Sequence, residues 1–312
     1  MNKNVKNKKV LITGSSGYLG SHLADALEDN GYKVVLFDKT PSRFKKESQK
    51  EILGDIFSSD EINEAIKGCD FVYHFAAQAD IGESSRDPTK TIKANIIGTQ
   101  NTLEAARKFK VNRFIFASTL YVYSELGSFY RVSKQACEKI IEEYQKQFGL
   151  DFTILRFGSI YGPRANEFNS ISNMLLQAIQ NKKIIRRGDG NEVREYIHVK
   201  DAAQLSVSAL DKKFINKHLI ITGSQQMKIK DLLVMIKEIF QNKIEIEFLE
   251  EKDLEHYEIT PFSYRPKPAI KISPSTYQDL GQGLLDLVYY LEENFIIEKK
   301  GKKVTLRDRK KI

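Results

Sequence analysis

Tyr130 and Lys134, in the stretch Tyr130-Arg131-Val132-Ser133-Lys134, are spaced four residues apart. That spacing places two side chains on one face of a helix. An ammonium beside a phenol favours its ionised form, so the pair has the makings of a proton acceptor near neutral pH. The same spacing occurs on plain solvated helix faces, so it acquires meaning only from what lies upstream.

Upstream, the apolar run Lys9–Thr13 reads as a strand. It leads directly into Gly14-Ser15-Ser16-Gly17-Tyr18-Leu19-Gly20 and an amphipathic helix through Asp29. A glycine cluster between a strand and a helix lets the backbone turn sharply and approach a pyrophosphate, to which the helix N-terminus offers unpaired N–H groups. The spacing is G-x-x-G-x-x-G rather than G-x-G-x-x-G, and a structural turn is the competing reading. Asp38 closes the next strand, Lys33–Phe37, where a carboxylate can accept hydrogen bonds from ribose hydroxyls and repel a 2′-phosphate. This favours NAD over NADP, although Lys39 and Arg43 follow closely. Asp55 and Ile56 are placed to flank the adenine, or Gly54-Asp55 is a plain turn.

These residues need a scaffold. Short apolar strands at Asp70–Phe75, Arg113–Ala117 and Phe152–Phe157 alternate with helices at Ser59–Lys67, Pro88–Phe109 and Arg131–Phe148. The alternation predicts an α/β fold, a Rossmann-like doubly wound parallel sheet covered on both faces. After Pro163 the rhythm loosens. Helices are expected at Ser170–Gln180, Asp201–Leu210, Lys230–Phe240 and Asp286–Asn294, with strands at His218–Thr222 and Lys243–Phe248. This predicts a smaller α+β substrate region. The expected division is a dinucleotide domain over residues 1–163 with a return segment at about 195–222, a substrate region over 164–194 and 223–297, and a basic tail over 298–312.

The chain has 312 residues, 41% apolar and 29% charged, ordinary for a globular protein. Its formal charge of +8 is carried by the ends: residues 1–9 hold +4 and 298–312 hold +6, leaving about −2 for the body. The basicity therefore belongs to two ends expected to be mobile, and no nucleic-acid-binding signature accompanies it. Two cysteines, Cys69 and Cys137, supply neither a disulfide framework nor a metal site, and they fit a reducing, cytoplasmic setting. Neither a secretory signal nor a membrane span is expected.

In this order the pieces resemble the extended short-chain dehydrogenase/reductases, in their NAD-dependent nucleotide-sugar epimerase and dehydratase branch. The motifs that carry the resemblance are Gly14–Gly20, His74-Phe75-Ala76-Ala77, Ser118-Thr119, Tyr130–Lys134, Tyr161-Gly162-Pro163-Arg164, and Gly188-Asp189-Gly190 through Asp201. The resemblance implies oxidation at C4 of a nucleoside diphosphate sugar. Tyr130 would take the hydroxyl proton, Lys134 would bond the nicotinamide ribose and lower the phenol's pKa, and Thr119 would bond the reacting oxygen. Gly14, Ser16, Gly17, Tyr18, Leu19, Gly20, Asp38, Asp55, Ile56, Ala76 and Ala77 would join Tyr130 and Lys134 in holding NAD. Arg194, and Arg265 on a weaker match, would clamp the diphosphate. His74 reads as a packed core histidine.

Two departures bear on the outcome. Dehydratases of this branch follow the threonine with Asp-Glu, whereas Leu120-Tyr121 stand here, which argues against sugar 4,6-dehydration. Only Ser124–Phe129 separate Tyr123 from Tyr130, where relatives insert a longer loop, and Ser159 stands where many epimerases have asparagine. A clipped loop would leave the pocket open to a bulkier sugar or to a small co-oxidant reaching bound NADH, as in a 4-dehydrogenase. The expected product is thus a C4 epimer or a 4-keto sugar for surface polysaccharide. A non-catalytic dinucleotide-binding sensor or scaffold is the alternative from another class. Val132, Ala136, Ile140 and Tyr144 form a stripe suited to a homodimer or to packing within one subunit.

Overall fold

β1 (Lys9–Thr13) is buried from Val10 to Thr13 with no alternation of inward and outward residues, as expected of a strand covered on both faces. The computed structural model describes residues 8–166, 168–224, 226–250 and 268–294, together with the backbone of 296–299 and 302–305. It divides into two units.

The first unit comprises the chain up to Gly158, Lys200–Thr222 and the stretch around Ile270–Ile272. Its strands are β1, β2 (Lys33–Asp38), β3 (Lys50–Leu53), β4 (Phe71–His74), β5 (Arg113–Thr119), β6 (Phe152–Phe157), β10 (Lys217–Ile221) and β13 (Ile270–Ile272). They form one sheet in the order β13-β10-β6-β5-β4-β1-β2-β3, and every pair is parallel. With its flanking helices this is the expected Rossmann-like α/β fold. The strand order reverses between β1 and β4, and ligands bind at the carboxyl ends of strands at such a switch point. The helices are α1 (Tyr18–Asp29), α2 (Ser59–Ile66), α3 (Ile81–Arg86), α4 (Pro88–Ile92), α5 (Gly98–Lys108), α6 (Ser128–Phe148) and α8 (Val199–Ser208). Leu11, Phe37, Leu103, Phe114, Phe116 and Ile141 are among the fully buried side chains of its core.

Several local details differ from the sequence expectation. The single helix expected over Pro88–Phe109 is α4 and α5 joined by a π-turn at Lys93–Ile97. α6 starts at Ser128 rather than Arg131, which puts Tyr130 inside its first turn. β5 runs on through Ser118-Thr119. β13 carries no apolar alternation long enough to read as a strand.

The second unit holds β7 (Ser159–Tyr161), β8 (Lys183–Arg187), β9 (Val193–His198), β11 (Gln226–Lys228) and β12 (Glu245–Leu249), with α7 (Ser170–Asn181), α9 (Ile229–Ile239) and α10 (Leu280–Asn294). β9 pairs antiparallel with β11 and parallel with β7, while β8 and β12 form a separate parallel pair. Its core joins the three helices through Leu175, Leu232, Ile236, Leu284 and Leu287. The tail expected from residue 298 onward begins instead as a backbone hairpin, β14 (Ile296–Lys299) with β15 (Lys302–Thr305). Residues 1–7 and 306–312 lie outside the described residues. Among the described residues, no helix is long and apolar enough to cross a membrane, and no cluster of three or more His, Cys, Asp or Glu could hold a metal.

Leu103 is fully enclosed where α5 meets the sheet. Leu103→Ala is expected to lower the stability of the first unit by about 2–5 kcal/mol, as core leucine truncations do, read from urea unfolding.

Candidate active site

Gly14 takes a left-handed backbone (φ +73°), and a Cβ there would lie 2.6 Å from the amide nitrogen of Ala76. Only glycine lets the end of β1 turn this close to the chain leaving β4. α1 follows with Gly17 as its N-cap, no capping side chain and no acid in the first turn, which leaves its positive end available to an anion. The carboxylate of Asp38 accepts from the N–H groups of Ser16 (3.0 Å) and Thr40 (3.2 Å), tying the glycine turn to the end of β2.

These pieces enclose a cleft of about 320 Å³ lined by Gly14, Gly17, Asp38, Ile56, Ala76 and Ala77. Ser16 braces the cleft through Asp38, and Tyr18, Leu19 and Gly20 form the first turn of α1. Asp55 stands beside the cleft as an ion pair with Lys39 at 2.9 Å, so the lysine that weakened the NAD preference is already matched by a carboxylate. The sequence reading missed Phe57, which also lines the cleft; the ammoniums of Lys39 and Lys93 lie 5.1 and 5.2 Å from its ring centre. An aromatic directly after Asp55-Ile56 was the available signal.

Beneath the cleft runs a buried chain of hydrogen bonds. Thr99 donates to the Asn95 carbonyl (2.5 Å), so its hydroxyl oxygen accepts from Nε2 of His74 (3.0 Å). Nδ1 of His74 then accepts from Thr13 (2.8 Å), whose oxygen accepts the Ala76 N–H (3.3 Å). Burial pushes the His74 pKa down to about 3, with the Lys134 charge adding to the shift. His74 is therefore a neutral cross-brace. Asn95, visible in the sequence within the helix expected over Pro88–Phe109, was given no role there, although a polar side chain on a buried helix face is a readable sign. Its side chain accepts from Gln78 N–H (2.7 Å) and donates to Gln78 O (3.0 Å) and Ser133 Oγ (2.9 Å). Ser133 in turn donates to the Tyr130 carbonyl (2.8 Å). One asparagine at the π-turn thus joins the strand-end loop beside the cleft to the helix that carries the phenol.

Thr119, Tyr130 and Lys134 are brought together in the first unit. The hydroxyls of Thr119 and Tyr130 are hydrogen-bonded, and Thr119 also accepts from the Tyr121 N–H (3.2 Å). Lys134 is buried one turn along α6 with Nζ donating to the Ala117 carbonyl (2.7 Å), 4.5 Å from the Phe116 ring centre and 5.8 Å from that of Tyr130. Burial pushes the Lys134 pKa down to about 8. Tyr130 keeps part of its surface open, yet desolvation by the surrounding protein pushes its phenol up to about 12, partly offset by Thr119. The chain alone therefore does not lower the phenol's pKa.

The short segment before α6 is a fixed turn. Gly127 has φ +107° and Ser128 φ +50°, and a Cβ on Gly127 would lie 2.6 Å from the Tyr121 ring. Arg131 holds the turn by donating to the Ser124 carbonyl at 3.1 Å. Arg194 lies in the second unit, on β9 opposite Met227, nearly buried, donating to the Val193 carbonyl at 3.0 Å. Arg265 lies outside the described residues.

The model of the NAD dependent epimerase/dehydratase family matches residues 10–221. The chain belongs to that family. A UDP-N-acetyl-alpha-D-glucosaminuronate decarboxylase of Bacillus cytotoxicus is 31% identical over 249 residues, covering 71% of this chain and 76% of its own. Among solved structures, a Bacillus cereus UDP-glucuronic acid 4-epimerase in complex with UDP-glucuronic acid and NAD is 28% identical with a TM-score of 0.76, covering 90% of this chain and 98% of that one. A UDP-N-acetylglucosamine 4-epimerase of Methanobrevibacter ruminantium is 25% identical with a TM-score of 0.79, covering 91% and 98%. The protein is an NAD-dependent enzyme of the nucleotide-sugar epimerase and dehydratase kind, and the Gly14 turn, the uncapped α1 and Asp38 fit its cofactor.

Gly14→Ala is expected to weaken NAD binding at least tenfold by calorimetry, because its Cβ would meet the Ala76 backbone. His74 sets an acid limit. Its folded pKa of about 3 lies below the unfolded value near 6.5, so the unfolded chain takes up a proton first and stability falls as pH drops from about 6.5 to 3. Denaturant titrations should show a shallower loss over that window in His74→Asn.

Proposed function

We propose that this enzyme oxidises C4 of a nucleoside diphosphate sugar, of the UDP class carried by its relatives, and acts as a 4-epimerase in the supply of surface polysaccharide. The observation that carries the reading is the hydrogen-bonded Thr119–Tyr130 pair with the buried ammonium of Lys134 one helical turn away. When bound, NAD supplies the hydride acceptor and a positive ring. The chain manages the proton. Tyr130, as phenolate, accepts the hydrogen of the C4 hydroxyl while the C4–H electron pair departs as hydride. Thr119 donates to the reacting oxygen. Lys134 would bond the nicotinamide ribose of bound NAD, and its charge together with the cationic ring would bring Tyr130 down from its high value. Arg194 takes the diphosphate through its guanidinium fork, and Arg265 is proposed as a second clamp.

Thr119 is followed by Leu120-Tyr121, so the two positions that would supply an acid and a base for eliminating water hold no carboxylate. Return of the hydride to the other face of C4, with Tyr130 giving its proton back to the oxygen, would produce the C4 epimer. A second reading, release of the 4-keto sugar with NADH reoxidised by a small co-oxidant, is favoured by the short fixed turn before α6 in place of a long loop. The pair of free, buried cysteines suits work in the cytoplasm. A homodimer is proposed through the α6 stripe Val132, Ala136, Ile140 and Tyr144, of which Val132 is exposed while Ile140 and Tyr144 also pack against the core of the first unit.

Incubation with UDP-glucose, UDP-N-acetylglucosamine and UDP-glucuronic acid, followed by mass spectrometry and NMR of the products, tests the reading. A mixture of C4 epimers without free keto sugar is expected, and accumulation of keto sugar would select the second reading. Tyr130→Phe should lose at least a thousandfold in kcat while retaining NAD affinity within about threefold. A variant that still turns over at the normal rate would sink the assignment.

A further inference from the structure

Beneath the reacting groups, a second layer of charge is buried between α6 and strands β5, β6 and β10. Arg156 on β6 is fully enclosed, and its fork grips Glu138 through Nε–Oε1 (3.0 Å) and Nη2–Oε2 (2.5 Å). Glu138 Oε1 also accepts the Ser118 hydroxyl at 2.6 Å. The third guanidinium corner, Nη1, donates to the Tyr123 hydroxyl at 2.7 Å. Ser118 immediately precedes Thr119 on β5, and Tyr123 ends the single 3-10 turn, Leu120–Tyr123, that follows Thr119. The pair therefore holds the chain on both sides of the threonine. Glu138 lies four residues after Lys134 and eight after Tyr130, on the same face of α6.

We propose that Glu138 and Arg156 are the positioning residues of this site: the pair pins Thr119 from both flanks and sets a fixed negative charge beneath Lys134, which keeps the ammonium cationic at its seat on the Ala117 carbonyl. The inference rests on the assignment of Thr119, Tyr130 and Lys134 given above. A buried ion pair of this kind is seldom a net source of stability, so its value lies in placement. Facing Lys134 are Tyr130, Cys137 and Glu138 from its own helix, His74 from β4, and the Phe116 ring and Ala117 carbonyl from β5. Facing Glu138 are Arg156, Ser118 and His218, the last at 3.9 Å and also 3.2 Å from Glu142. Against the burial that pulls its pKa down to about 8, Cys137 and then Glu138 favour the charged lysine.

The test uses the NAD-loaded full chain and its Glu138→Gln, Ser118→Ala and Tyr123→Phe variants. The Lys134 titration is followed by NMR of ¹³C-labelled lysine, with Lys134→Arg identifying the signal. Glu138→Gln is expected to move the midpoint down by one pH unit or more, and the alkaline limb of kcat on the UDP-sugar by the same amount, with KM changed less than twofold. Ser118→Ala and Tyr123→Phe should leave the midpoint in place and lower kcat three- to tenfold. A folded Glu138→Gln chain with an unmoved midpoint overturns the proposal, even if no tested sugar is turned over. Should Glu138→Gln fail to fold, undiminished kcat in both milder variants overturns it, and the predicted loss supports it.

Discussion

The seat of the Lys134 ammonium on the Ala117 carbonyl is the constraint around which the rest of the site is arranged. A cation in the interface between a helix and a parallel sheet is unfavourable unless its donors are met. A backbone carbonyl near the end of β5 meets one donor, and the faces of Phe116 and Tyr130 provide favourable cation–π surroundings. That requirement fixes the distance between α6 and β5. With the distance fixed, Thr119 at the end of β5 and Tyr130 in the first turn of α6 meet as a hydroxyl pair. The helix must start at Ser128 for this to happen, and the two left-handed residues Gly127 and Ser128 make so abrupt a start possible.

The cleft proposed for the cofactor is built differently, from backbone more than from side chains. Gly14, the N-terminus of α1 and the small residues Ala76 and Ala77 bring main chain to the cleft, and Asp38 is the chief carboxylate lining it. Such a surface is rigid because it consists of strand ends and a helix start. The threonine–histidine–threonine chain and Asn95 then fix the strand-end loop against both β1 and α6. The cleft and the proposed proton-transfer groups therefore share one set of braces.

The sheet and the glycine turn were legible because strand-to-helix alternation and glycine spacing are local signals. Residues whose place depends on distant partners were not. Asn95 has its position from a π-turn, which no periodicity announces. β8 and β9 are short, mixed in polarity and paired with strands tens of residues away, so Arg194 could be matched to a motif but not assigned to a strand. The hairpin at 296–305 was hidden by its lysines, which made it read as a solvated tail. The expected drop in the phenol's pKa counted the lysine and the positive nicotinamide ring and left out the burial of the phenol. The burial needed to hold that lysine works in the opposite direction.

His74 carries one more consequence. Because both ring nitrogens are engaged and the imidazole is held neutral, it cannot act as a proton reservoir for the groups above it. In the proposed mechanism, a proton taken up by Tyr130 therefore has no exit through His74. Closing that one route suits the proposed chemistry, which removes a hydrogen from a carbon only to put one back.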